Sequence, residues 1–211
     1  MRISPTWIAV ATGLLVGTTA ASWMSRPARV RPAPGAQPHL YLMPIGDSGS
    51  LLDDLASQVK LRFHLAVTVL PQRSPDRAAY NNIRRQFEAD GLLESVRQAQ
   101  PTLANDPDVR LIAITPYDLY WNGKPEWRFT FGVREENRLA IISYARMDPV
   151  NLGDPPNDEV LRSRLRKMLT KDIGLMCLGL AMNDNPRSAL YGNVLGVDEL
   201  DVMTEEFDPK Q

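Results

Sequence analysis

Imidazole and thiol are scarce in this chain. Its 211 residues hold two histidines and one cysteine. His39 and His64 together cannot build a three-histidine zinc site in any fold. Cys177 has no partner for an internal disulfide. It lies in an apolar helical stretch and reads as a small buried hydrophobe. Neither sign of charge dominates, with 24 Lys and Arg against 25 Asp and Glu and a formal net charge of −1. That balance gives no reason to expect a nucleic-acid partner. There is no internal repeat. No G-x-S-x-G string surrounds Ser143 or Ser188, the candidate nucleophilic serines. "GDSGS", at 46–50, follows directly on an apolar run and reads as a loop and helix cap.

The N-terminus carries a different signal. After Arg2, residues 3–25 are uncharged, and Trp7 to Ala21 are apolar or small. A basic start, an apolar run and the small residues of "TTAAS" match a secretory signal with cleavage after Ala21. The run is also long enough to serve as a membrane anchor. Residues 26–39 follow, rich in proline, as an extended spacer. The expected organisation is a signal peptide or membrane anchor at 1–25, a linker at 26–39 and one folded domain at 40–211. A single domain of that size needs no disulfide or metal for stability.

Within the domain, strand-like and helix-like periods alternate. "LYLMPIG", "HLAVTVL" and "VRLIAITP" read as strands, with His64 opening the second. Ser50 to Phe63 has apolar residues at helical spacing. Ser74 and Pro75 read as the start of a helix that Gly91 divides. "WRFTFGV" and "RLAIISYAR" form a late hairpin. The longest helix starts at an Asn157 or Asp158 cap and runs towards Met182, with Leu161, Leu165, Met168, Asp172, Met176 and Leu180 near one face. A short acidic helix, "GVDELDVMTEEF", closes the chain. Its "RSRLRK" counterpart at 162–167 reads as a solvated basic helix face. Strands alternating with helices, then a hairpin, imply a mixed α/β sheet, mostly parallel with one antiparallel edge strand, packed on helices.

Four strings in this order, "YLMPIG", "ITPYDLY", "FTFGVREENRLAIISYARM" and a helix ending in "LGL", resemble the archaemetzincins, a branch of the metzincin zinc peptidases. The resemblance spans roughly residues 40–203. It implies a metzincin-like sheet and a long former active-site helix. The metzincin frame H-E-x-x-H-x-x-G-x-x-H falls on 172–182 and retains only Gly179. The three histidine positions hold Asp172, Met176 and Met182, and the glutamate position holds Ile173. Thioethers are poor zinc ligands, and Ile173 has no basic atom to activate a metal-bound water. The cysteines of the family's second zinc site are also missing, and Leu190 in "SALYGN" stands where a methionine-bearing turn is expected.

The N-terminal segment implies export or membrane tethering, and the resemblance implies a pseudo-peptidase domain with no cofactor and no catalytic residue. It implies a vestigial cleft lined by Tyr144, Arg146, Asp172, Ile173, Met176 and Met182. The implied partner is an extended peptide or protein segment, paired with the edge strand, which would be "RLAIISYAR". Asp172 has two readings, an ion pair with an arginine or a residual metal ligand. Met176 and Met182 read as core fillers. Two alternatives remain open: a metallopeptidase with substituted ligands, such as Asp172 plus tail carboxylates, and a purely structural envelope protein.

Overall fold

The structure is a computed structural model describing residues 37–48, 50–135 and 137–209. The expected export segment and most of the linker lie outside the described residues.

Strand β1 (His39–Pro44) begins the fold, one residue before the expected start. Helix α1 (Leu51–Phe63) and strand β2 (Val67–Val69) follow. His64 is not in a strand. It is exposed at the C-terminal cap of α1, with φ 54°, where the chain must turn sharply between helix and strand. Ser50 sits at the N-cap position but makes no capping bond through its side chain.

Residues 74–88 depart from expectation. Instead of a helix they form a 3-10 turn (Arg77–Ala79), strand β3 (Tyr80–Asn81) and strand β4 (Gln86–Glu88). The Asp76 carboxylate accepts from the Ala78 amide, and Asn81 Oδ1 accepts from Ile83 and Arg84. These side chains satisfy backbone donors locally and favour turns over a helix. Helix α2 (Ala89–Ala99) starts only after them and runs through Gly91. Helix α3 (Pro101–Asn105), strand β5 (Val109–Thr115) and strand β6 (Leu119–Tyr120) come next. Strands β7 (Gly132–Glu135) and β8 (Leu139–Ser143) form the hairpin. Helix α4 (Pro149–Leu152), the long helix α5 (Asp158–Met176) and helix α6 (Val197–Val202) complete the chain.

The main sheet has the order β2-β1-β5-β8-β7, and a small second sheet has the order β3-β4-β6. In the main sheet β1, β2, β5 and β8 are parallel, and β7 joins β8 antiparallel at the edge. This is the expected mixed sheet, with one correction. "RLAIISYAR" contains β8, an interior strand bonded on both sides, so the edge is β7. Thr130 and Phe131, expected within a longer first arm of the hairpin, precede β7.

Period-2 alternation divides the interior. Leu40, Leu42, Ile112, Ile114, Ala140 and Ile142 face α1 and α5. Met43, Leu111, Ala113, Leu139 and Ile141 face α2. Each fully buried aliphatic side chain contributes about 1.5–3 kcal/mol of burial free energy. Asn157 caps α5 through its side chain, bonding the Val160 amide at 3.1 Å. The helix ends at Met176, short of Met182. Gly179, at φ 66°, supplies the left-handed residue beyond the end.

The basic run of α5 is a clamp, not a solvated face. Arg164 is buried and grips Asp201 through two bonds of 2.8 and 2.7 Å, while also donating to the Met147 carbonyl. Arg166 pairs with Glu159 and Glu205, and Lys167 donates to the Leu200 and Asp201 carbonyls. Alternating basic side chains therefore fasten α6 and the C-terminal tail onto α5. Among the described residues no helix is long and apolar enough to cross a membrane.

Candidate functional site

The geometry of β7 follows from its register. Phe131 accepts a bond from the Ser143 amide, so antiparallel alternation turns the backbone groups of Gly132 and Arg134 outward. At Gly132 the outward groups are already occupied. The Thr130 hydroxyl accepts from the Gly132 amide at 3.2 Å and donates to its carbonyl at 2.8 Å. Gly132 itself has no room for a side chain, since a Cβ would lie 2.4 Å from the Ile141 carbonyl oxygen.

Between β7 and the C-terminal half of α5 lies a cleft of about 330 Å³. Gly132, Val133 and Arg134 supply one wall, and Met168, Lys171 and Asp172 supply the floor. Trp121 and Trp127 stand at one side, edge to face with ring centres 6.2 Å apart. Met182, Gly192 and Val194 close the other side.

The floor is charged. Asp172 is 4% exposed, and its Oδ1 accepts from Arg134 Nη1 at 2.8 Å. Burial pushes the Asp172 carboxyl above its ordinary pKa, and the Arg134 guanidinium opposes that rise. Lys171 is also buried, and its ammonium donates to the Tyr191 carbonyl. Desolvation pushes the Lys171 pKa down to about 8.

The sequence-level candidates separate into three places. Asp172 and Met182 meet in the cleft. Asp172 follows its ion-pair reading, but Met182 is 53% exposed and is not a core filler, because the chain has left the helix before reaching it. Ile173 and Met176 are adjacent to the cleft and buried in the apolar core shared with α1. Tyr144 and Arg146 do not line this cleft; they follow the end of β8, an interior strand. The Tyr144 hydroxyl donates to the Asp47 carbonyl, and burial pushes its pKa up to about 12. Arg146 pairs with Asp118 at 2.7 Å and lies over the Phe129 ring.

Sequence reasoning missed Arg134, Lys171, Trp121 and Trp127. The usable signal was a lysine beside Asp172 on the turn where a helix passes a strand edge; the arginine is 38 residues distant and had no local signal.

Supporting contacts fix the end of α5. Arg110 donates to the Met176 carbonyl at 2.7 Å, placing a cation at the helix C-terminus. Leu190 is buried beneath the helix. A Cβ on Gly174 would lie 2.9 Å from Leu190 and 2.7 Å from Phe207, so the "SALYGN" turn and the tail both press against that glycine. Asn183 Nδ2 donates to Ser188 Oγ at 3.0 Å, closing the loop before the turn. The two candidate serines are structural. Ser143 donates to the Tyr117 carbonyl and Ser188 to the Phe207 carbonyl. Cys177 is partly buried, with its thiol pKa pushed up to about 12 by desolvation, which removes the thiolate at neutral pH.

No family model matches the chain. An archaemetzincin of Methanocaldococcus jannaschii is 30% identical over 165 residues, covering 75% of this chain and 84% of that protein. The chain belongs to the archaemetzincin family. An archaemetzincin of Thermococcus kodakarensis is also 30% identical, over 133 residues, covering 63% of this chain and 67% of that one. Among solved structures, a zinc-dependent peptidase from Methanocorpusculum labreanum superimposes with a TM-score of 0.67 at 22% identity, covering 80% of this chain and 95% of that one. The archaemetzincin of Archaeoglobus fulgidus, solved with malonate, gives a TM-score of 0.63 at 24% identity, covering 81% and 95% of the two chains. Both structures share the fold.

The donor set of this archaemetzincin does not fit a zinc ion. Zinc takes imidazole, thiolate or carboxylate. Of the four helix-frame positions only Asp172 offers such a group, and Arg134 holds it. His39 bonds Thr68 across β1 and β2, at the far side of the sheet from β7, and His64 is exposed at the end of α1. Among the described residues no three His, Cys, Asp or Glu side chains gather as a metal would need. Among the described residues no tail carboxylate lines the cleft, and Arg164 engages Asp201 while Arg62 and Arg166 engage Glu205.

The ion pair can be measured in a double-mutant cycle. Arg134→Met leaves a buried carboxylate without its counter-charge and is expected to cost about 3 kcal/mol of stability in urea unfolding. Adding Asp172→Asn to Arg134→Met is expected to restore a large part of that loss. Additive losses in the double variant would show that the two side chains are not coupled.

Proposed function

We propose that this archaemetzincin does not hydrolyse peptides and instead uses the cleft beside β7 to hold an extended peptide or protein segment. The observation carrying this reading is the Arg134–Asp172 pair, a guanidinium bound to the one carboxylate at the helix-frame positions. Hydrolysis on a metzincin frame needs a metal-bound water and a base to take its proton. Here the base position is Ile173, fully buried and apolar, and the second ligand position is Met176, also buried.

Binding needs neither group. An extended segment can add to the edge of a sheet through main-chain hydrogen bonds. β7 is the edge strand and also lines the cleft, so a paired segment would run along the cleft wall itself. Thr130 blunts the edge at Gly132, so pairing centres on the outward amide and carbonyl of Arg134, with side chains of the bound segment entering the cleft. The N-terminal sequence completes the proposal, with residues 1–25 exporting or anchoring the chain and 26–39 spacing the domain from the membrane.

Two experiments test these two parts. The full-length protein, supplied with zinc and a mixture of fluorogenic peptides, is expected to cleave none of them, while extended peptides give saturable binding by fluorescence polarisation. Cleavage that a chelator abolishes would overturn the non-hydrolytic reading. For export, a reporter that works only outside the cytoplasm is fused after Gln211 and is expected to be active. Activity confined to a cytoplasmic reporter at the same position would reject it.

A further inference from the structure

The floor of the cleft holds an unusual cation. Lys171 is 6% exposed, and its ammonium has three donors. Tyr191 accepts one of them through its carbonyl. Among the described residues no carboxylate lies within ion-pair distance of Lys171, and its sequence neighbour Asp172 is paired with Arg134 instead. The Asp172 charge acts on Lys171 from beyond contact distance, and desolvation outweighs it, so this buried ammonium remains costly to keep in a folded protein. Its position on the cleft floor lets a bound anion supply what the protein lacks.

The remaining surroundings narrow the anion. Arg134 and Lys171 against Asp172 leave one net positive charge, which suits a single carboxylate better than a doubly charged phosphate. Arg134 uses Nη1 on Asp172, and a planar guanidinium presents further N–H donors in the same fork. The adjoining wall is aromatic, with Trp121 and Trp127 lining the cleft and Trp127 38% exposed. At about 330 Å³ the cleft has room for a bulky side chain and its carboxylate.

We propose that the cleft is a receptor for a carboxylate attached to an aromatic or bulky apolar group, the carboxylate meeting Lys171 and Arg134 and the apolar group meeting Trp121 and Trp127. This rests on the reading of the cleft as a binding site and names its ligand chemistry. A peptide C-terminus and a free aromatic carboxylic acid both carry the required groups.

The test uses the full-length protein, with tryptophan fluorescence and calorimetry as readouts. The probes are N-acetyl-Ala-Ala-Phe with a free C-terminal carboxylate, the same peptide as its C-terminal amide, and N-acetylphenylalanine. The free acid is expected to bind, and the amide to bind about tenfold or more weakly, as for loss of hydrogen bonds to a charged group. Lys171→Met is expected to lose the preference for the acid, and Lys171→Arg to retain it. Circular dichroism and thermal melting establish that each variant is folded. The comparison of acid with amide on the unmodified protein stands even if Lys171→Met does not fold. Tighter binding of the peptide than of N-acetylphenylalanine assigns the site to a peptide terminus, and equal binding assigns it to small acids. Equal affinity for acid and amide overturns the inference while leaving peptide binding intact. Binding of none of the three probes overturns it as well, and saturable binding of other extended peptides then decides the broader reading separately.

Discussion

The ion pair between Arg134 and Asp172 joins an edge strand to a long helix, and the cleft between them depends on it. A carboxylate at 4% exposure is stable only with a partner. β7 supplies that partner from across the cleft at 2.8 Å. The same bond fixes the distance between wall and floor and sets the charge inside. In this chain a guanidinium satisfies the buried carboxylate, and the neighbouring positions Ile173 and Met176 extend the apolar core instead of adding donors.

The rest of the fold holds those two side chains in place. β7 carries Arg134 at one position because β8 is locked between β5 and β7, and because the Ile141 carbonyl leaves space only for glycine at 132. α5 carries Asp172 at one height because Arg164, Arg166 and Lys167 fasten its outer length to α6 and the tail. Arg110 then fixes its last turn. Leu190 and Phe207 press from below on Gly174, two residues from Asp172. Restraint from several independent elements makes the floor a rigid surface, suited to recognising a group of fixed geometry. Met182 and Trp127 at the rim are exposed, so a ligand can reach the floor from that side.

Sequence patterns disclosed the large elements because their periods are strong. β1, β5 and α1 are read directly from apolar spacing, and Asn157 marks the start of α5 through its cap. The four archaemetzincin-like strings disclosed the family. Short elements were not legible. β3 and β4 have two and three residues, too few for any period, and Ser74-Pro75-Asp76 imitates a helix start. The hairpin was visible, but which of its strands lies outermost depends on β5 choosing β8, a pairing with no local mark. The helix frame located Asp172 and left Arg134 hidden, since an ion pair across 38 residues leaves no trace in either segment. Tyr144 and Arg146 follow β8, which the hairpin pattern alone does not distinguish from the edge, and a helical period carried past Gly179 hides the exposure of Met182.

Metal content tests the central claim most directly. Purified full-length protein, expressed with ample zinc and dialysed, is assayed by elemental analysis and by thermal melting with and without a chelator. If Arg134 satisfies the carboxylate of Asp172, zinc is substoichiometric and the chelator leaves the melting temperature unchanged, because no metal free energy is coupled to folding. One zinc per chain, retained through dialysis and removed with a fall in melting temperature, would contradict it.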